Sequence, residues 1–423
     1  MKELMRTLQE EFHEKIGNLV DGVEREAQFP AAANKIKVAM GMRRTGKTYF
    51  LLQKAKFLIN THIPLSRILY INFEDDRLYP LVQEKLSGLV DAFYSVYPEN
   101  HDLLCYIFLD EIQNVDQWPL VVRRLFDSKK VEMYLTGSSA KLLSKEIASA
   151  LRGRSIATEI WPFSFHEYLN ARHITILQKT DQNIISKKTQ DRLQQYLHQY
   201  LIQGGFPEVT DVHESERLRI LQDYVNVVIF RDIIERYQIT NIVLIRYMIK
   251  ALLKQISSSF SVNKFYNDLK SQGFAVAKTT VHEYLGYIED AYLAFSVPIY
   301  TESIRKSQVN PRKIYAIDTG LVSAYTFSFS ENLGRLFENL VYLDLRRRGH
   351  EIYYYQTEAR HEVDFITRDK LGKLHLYQVV WNIDDAETME RETRALREAE
   401  KELKIKGEMI TPVYYLSDFV QST

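Results

Sequence analysis

The segment Gly41-Met42-Arg43-Arg44-Thr45-Gly46-Lys47-Thr48 constrains this chain more than any other. Two glycines bracketing four residues and followed by Lys-Thr let backbone N–H groups turn inward and close on an anion at a helix N-terminus. The apolar run Ile36 to Met40 precedes the segment, and a helical pattern begins near Lys47. The loop therefore sits between a strand and a helix, as a phosphate-binding loop must. In that role Gly41 to Thr48 wrap the phosphates of ATP, Lys47 reaches the β and γ oxygens, and the Thr48 hydroxyl ligates Mg²⁺. The alternative, a glycine turn with no ligand, does not account for the flanking elements.

A strand that opens such a unit needs parallel neighbours to bury it. Further short runs, rich in β-branched and aromatic residues, occur at Ile68 to Phe73, Tyr106 to Leu109, Val131 to Leu135 and Ser155 to Ile160. They alternate with longer periodic stretches, so the first half reads as an α/β fold with a parallel sheet covered by helices. The run at Tyr106 ends in Asp110-Glu111, where phosphoryl transfer needs carboxylates: Asp110 to hold Mg²⁺ through its water shell, Glu111 to orient and activate the attacking water. Alone, such a pair reads equally well as a helix cap. The next run ends in Thr136-Gly137-Ser138-Ser139, where Thr136 is the candidate to sense the γ-phosphate and the serines equally suit helix capping. In Leu151-Arg152-Gly153-Arg154, Arg154 is favoured over Arg152 as an arginine finger, acting in cis or from a neighbouring subunit, with a solvated loop charge as the alternative.

Beyond Trp161-Pro162 the pattern becomes helical, with long segments at Asp191 to Ile202 and Arg217 to Tyr237 split by Gly204-Gly205-Phe206-Pro207. From Val243 to Ile317 three helices and then two strands give the outline of a winged helix-turn-helix. Its recognition helix would open Lys278-Thr279-Thr280-Val281-His282, and Arg305, Lys306, Arg312 and Lys313 would lie on the wing. DNA is the partner such a surface suits. However, the 55 basic and 55 acidic side chains cancel, so no chain-wide charge attracts nucleic acid, and a module that contacts only protein fits as well. From Leu333 a last unit runs helix, three strands, then a charged helix Glu387 to Leu403 expected to be a solvated face. A single cysteine excludes an internal disulfide or a cysteine-rich zinc site, and His350, His361 and His375 lack ligand spacing. No apolar run approaches the roughly 18 residues that span a bilayer, and the charged N-terminal segment is unlike a secretion signal, so a cytoplasmic protein is expected.

The phosphate loop, Leu109-Asp110-Glu111-Ile112-Gln113, Thr-Gly-Ser-Ser, Leu-Arg-Gly-Arg and Pro162-Phe163-Ser164-Phe165 with Glu167 occur here in an order that resembles prokaryotic AAA+ superfamily ATPases carrying a C-terminal domain of unknown function. The resemblance continues through Gly204-Gly205-Phe206-Pro207-Glu208, Phe230-Arg231-Asp232-Ile233 and Ala316-Ile317-Asp318-Thr319-Gly320-Leu321. It implies a P-loop ATPase core over residues 1–165, a helical subdomain over 166–240, a winged helix over 241–320 and an α/β domain of restriction-nuclease-like topology over 321–423. The resemblance settles architecture better than purpose; the loop lysine Lys47 with Asp110 and Glu111 leads to the expectation of an ATPase acting as a nucleotide-driven switch, with a homo-oligomer or a protein partner as open alternatives. A nuclease of that topology needs a helix glutamate, a strand acid, and an acid and a lysine two apart on the next strand. Glu338 and Asp364 fit the first two positions, but Gln378 stands in the acidic position and Val380 in that of the lysine. Metal-dependent cleavage is therefore disfavoured, and a degenerate site kept for binding or packing is expected. An ATP-regulated nuclease and a nucleotide-gated protein scaffold are the competing functions.

Overall fold

Five parallel strands carry the first part of the chain in the computed structural model, which describes residues 1–20, 22–137, 151, 153–174, 187–303, 311–326 and 333–419. They are β1 (Ile36–Met40), β2 (Ile68–Asn72), β3 (Cys105–Asp110), β4 (Val131–Gly137) and β5 (Ser155–Glu159), in the order β2-β3-β4-β1-β5. Their side chains alternate into two separate cores. On β3, Ile107 and Leu109 meet α3 (Gln83–Val96) and α4 (Trp118–Ser128), whereas Tyr106 and Phe108 meet α2 (Lys47–Asn60). Burial on both faces explains why these runs show no polar alternation. Helix α1 (Lys2–Gly17) contributes Met5 to one core and Phe12 to the other. Its Gln9 amide donates to the Leu65 and Ile68 carbonyls, satisfying acceptors beside the sheet's edge strand.

The chain divides into two compact units, Met1–Trp161 and Pro162–Thr423. The second begins with α5 (Phe165–Ala171), closed by a reciprocal capping box between Ser164 and Glu167, followed by α6 (Lys187–Gln203) and α7 (Glu214–Val227). The single helix expected over Arg217 to Tyr237 is instead α7 continued through a wide turn at Val228–Ile234. That widened turn buries Val228, Ile229, Asp232 and Ile233 on one side. The Gly-Gly breaker has a tertiary reason. Gly205 accepts from Phe163 N–H at 2.6 Å and donates to Asp318 Oδ2 at 2.7 Å, and a Cβ on it would lie 2.3 Å from the Phe163 carbonyl oxygen.

Next come α8 (Ile242–Lys254), β6 (Ser258–Phe260), α9 (Val262–Ser271), α10 (Lys278–Asp290), β7 (Ala294–Val297) and β8 (Arg312–Ala316). The strands form a three-stranded antiparallel sheet, β6-β8-β7, one strand more than the sequence pattern signals. After α11 (Thr319–Ser323) and α12 (Leu333–Arg347), strands β9 (Glu351–Gln356), β10 (Glu362–Arg368) and β11 (Leu374–Val379) make an antiparallel set. Helix α13 (Ala386–Leu403) is not the wholly solvated face expected, because Ala395, Leu396 and Ala399 pack on this sheet. Strand β12 (Gly407–Ile410) then adds parallel to β11. Among the described residues no helix is long and apolar enough to cross a membrane.

Candidate functional site

Parallel strands point their C-terminal ends the same way, so the residues following β1, β3 and β4 share one edge of the first sheet. At the end of β1, Gly41 takes φ +155°, and a Cβ there would stand 2.2 Å from the Ile160 carbonyl oxygen. Gly46, at φ +93°, caps α2 without a side chain, leaving the first N–H groups of the helix to face the loop. Lys47 is buried beneath this loop, with its Nζ 3.0 Å from the Met42 carbonyl oxygen and 3.9 Å from Glu111 Oε1. Thr45 Oγ1 also donates to the Met42 carbonyl, and buried Arg25 donates to the carbonyls of Thr45 and Trp161. The loop is thus braced from below by Arg25, a residue that no local pattern singles out.

The acidic pair is held just as closely. Asp110, fully buried at the end of β3, accepts from the Tyr70 hydroxyl at 2.8 Å through one oxygen and from the Thr136 hydroxyl through the other. Thr136 in turn accepts from Glu111 N–H at 2.8 Å, which fixes Glu111 at φ +53°. Gln113 donates to the Glu111 carboxylate. Burial, reinforced by the Asp110 charge, lifts the Tyr70 hydroxyl well above its ordinary pKa and keeps it a donor. Glu74, beyond β2, has its pKa raised by burial and by the Glu111 charge, and lies 3.6 Å from Arg43 of the loop. Tyr70, Glu74 and Arg25 escaped the sequence reading because each looks like an ordinary strand or loop residue.

Thr136, the candidate γ-phosphate sensor, donates its hydroxyl to Asp110 and accepts from the Glu111 N–H, so it holds the Asp110 carboxylate and the Glu111 main chain. Arg154 stands elsewhere. Its carbonyl accepts from Ile36 N–H at 2.8 Å, and β1 and β5 run in parallel register from Ile36↔Ser155 to Met40↔Glu159. It therefore lies at the opposite end of the sheet from the phosphate loop, with Nε 2.8 Å from Asp127 Oδ1. A finger acting in cis is not what this geometry provides. Arg152, Ser138, Ser139, Arg305 and Lys306 lie outside the described residues.

The donor set suits a magnesium nucleotide. The Lys47 ammonium and the N–H groups at the start of α2 are the groups that would receive phosphates, and the Thr48 hydroxyl and Asp110 are the oxygen donors that would hold Mg²⁺. When bound, Mg²⁺ neutralises charge on the β and γ oxygens.

A second polar cluster lies in the other unit. Glu338 of α12, Glu362 and Asp364 of β10 converge on Lys313 of β8, whose Nζ is 2.8, 3.0 and 2.9 Å from them. Burial alone would lower the Lys313 pKa, yet the Asp364 and Glu338 carboxylates raise it well above the ordinary value. Gln378 turns its NH₂ toward Asp364 and Glu392, a donor to carboxylates and not a ligand to a cation. The positive charge of this cluster comes from β8, a strand of another sheet. His350, His361 and His375 bond to Thr367, Glu398 and Asp369. Among the described residues, no group of three or more His, Cys, Asp and Glu side chains is disposed to hold a metal ion.

Strand order, loop and acidic pair define a P-loop ATPase core of AAA+ type, and residues 33–169 match the AAA domain family. Residues 194–332 and 333–417 match two domains of unknown function. An uncharacterised protein of Methanocaldococcus jannaschii is 36% identical over 397 residues, covering 93% of this chain and 85% of that one. An uncharacterised protein of Haemophilus influenzae is 28% identical, covering 83% of each. The chain belongs to the family of AAA+ superfamily P-loop proteins that includes the Methanocaldococcus protein. Among solved structures, a Walker-type ATPase of Pyrococcus abyssi aligns over 73% of this chain and 99% of its own, at 14% identity and TM-score 0.44. The Orc1 protein of Aeropyrum pernix in complex with DNA aligns over 76% and 90%, at 12% and 0.31.

Proposed function

We propose that this chain binds and hydrolyses ATP with Mg²⁺ at Gly41 to Thr48, Asp110 and Glu111, and uses the cycle to switch what its second unit engages. The observation that carries this reading is the convergence of a buried lysine, a clamped aspartate and a pre-oriented glutamate at one sheet edge. Lys47 supplies charge to the bound phosphates, while Glu111, its main chain pinned by Thr136, orients the attacking water and accepts its proton. Lys47→Ala is expected to abolish ATP binding, whereas Glu111→Gln preserves binding and stops turnover. Equal ATP affinity of wild type and Lys47→Ala by calorimetry would refute the assignment.

DNA is the partner we infer for the switch. Helix, strand, two helices and two strands over 242–316 follow the order of a winged helix, and Lys278, Thr279 and His282 are exposed at the start of α10. Fluorescence anisotropy with labelled duplex, with and without ATP, tests this. Tightening or release on ATP supports it, and no binding in either state favours a protein-interaction scaffold instead. Arg154, facing away from its own loop, suits a finger supplied to a neighbouring subunit.

A further inference from the structure

Lys313 is 1% exposed and sits on β8, the middle strand of the three-stranded sheet, yet its ammonium belongs by contact to the terminal domain. Three carboxylates aim one oxygen each at that nitrogen within 2.8 to 3.0 Å. Their other bonds are arranged around it. The Tyr315 hydroxyl donates to the same Glu338 oxygen at 2.7 Å, while Val379 N–H and the Gln378 amide occupy the remaining oxygen of Asp364. The strand itself is anchored to α12, because Asn339 both accepts from Ala316 N–H at 2.7 Å and donates to the Ala316 carbonyl at 3.0 Å. Consequently the ammonium is a fixed feature of the cluster, not a side chain that has drifted into it.

Burial and the nearby Asp364 charge raise the Glu338 carboxyl to about 8, so Glu362 and Asp364 carry the negative charge that the ammonium at the centre answers. A divalent ion takes oxygen donors at about 2.0 to 2.6 Å, and with Lys313 in place the three carboxylates, at 2.8 to 3.0 Å from its nitrogen, do not form a metal-holding group. The ammonium fills that centre and offers three N–H donors, one for each carboxylate.

We infer that Lys313 is a chain-borne cation that takes the place of a divalent metal among Glu338, Glu362 and Asp364, fastening the three-stranded sheet to the terminal domain and keeping metal out of it. The terminal domain is then held to β8 by Lys313 together with the Asn339 and Tyr315 bonds. The inference stands independently of the ATPase reading.

The test compares full-length wild type, Lys313→Ala and Lys313→Met without nucleotide, with and without Mn²⁺. Wild type should melt at the same temperature in both conditions. Lys313→Ala, with carboxylates uncompensated and space left open, should melt lower by about 10 °C and recover much of that loss in Mn²⁺. Lys313→Met removes the charge but fills the space, so it should be destabilised and gain nothing from the ion. Adding Glu338→Gln to Lys313→Ala should remove the Mn²⁺ response. Should Lys313→Ala fail to fold without metal, folding on addition of Mn²⁺ supports the inference, and failure to fold with it overturns the inference. It is overturned equally by a Lys313→Ala protein that melts like wild type, by equal Mn²⁺ rescue of the Met variant, or by Mn²⁺ stabilising wild type in a Glu338-dependent way.

Discussion

Replacing Thr136 with valine keeps its shape and removes one oxygen from the centre of the acidic pair. That hydroxyl donates to Asp110 and accepts from Glu111 N–H at 2.8 Å, in a site where Thr136 and Asp110 are both fully buried. Loss of a charge-assisted bond costs about 1.5 to 3 kcal/mol, and stranding a buried N–H costs about 1 to 3 kcal/mol. Burying the extra methyl returns less than about 1 kcal/mol, so the net destabilisation is about 3 kcal/mol. For a unit of this size that is a fall in Tm of about 10 °C. Glu111 also loses the bond that holds it at positive φ, so its carboxylate should leave the attack geometry. Turnover should drop by about 10- to 100-fold while nucleotide affinity holds within a few-fold, since each 1.36 kcal/mol is about a factor of ten in rate. Thr136→Ser restores the hydroxyl and should restore most of both. Differential scanning calorimetry with a coupled phosphate-release assay measures the two effects together. If Thr136→Val melts and turns over like wild type, the hydroxyl does not organise the pair and the argument fails.

Two other positions make separate claims. Burial lifts the Asp318 carboxyl to about 6 from 3.8, so the fold favours its neutral form. The stability this confers is complete below pH 3.8 and is lost as pH rises through about 6. Asp318→Asn cannot titrate, so its Tm deficit relative to wild type should shrink from about pH 4 to about pH 7; an unchanging deficit would contradict the sign. Arg154→Ala should lower turnover more than ATP affinity, and wild-type specific activity should rise with protein concentration; intact turnover in the variant would leave Arg154 as the partner of Asp127 alone.

The phosphate loop was legible because all its determinants lie within Ile36 to Thr48, where strand, glycines and lysine are contiguous. The same holds for the pair after β3, whose apolar run announces a strand and whose acids mark its end. Whether Arg154 could act in cis was not legible for a topological reason: motif order places it after the acidic pair, but it precedes a strand parallel to β1 and so sits at the far end of the sheet from its own loop. Strand β12 was invisible because its four residues lie among Lys404, Lys406 and Glu408 and become a strand only against β11. Lys313 read as a wing charge, since nothing near it in the chain foretells carboxylates at 338, 362 and 364. Likewise Gly204-Gly205 read as a breaker, and its real constraint, the Asp318 carboxylate, is 113 positions away from Gly205.

The order β2-β3-β4-β1-β5 also dictates a sequence of events in time. Strand β1 is synthesised before the others, yet both of its neighbours arrive late; the bond from Lys35 Nζ to the Gly153 carbonyl beside it spans 118 positions. Until β4 emerges, β1 and the glycine loop behind it have nothing to pair with. The earlier pairing of β2 with β3 bridges a much shorter stretch and closes first. The glycine loop is accordingly set in place only once β4 arrives, and a chain interrupted before β4 would carry the acidic pair on β3 but leave β1 with no strand to pair with.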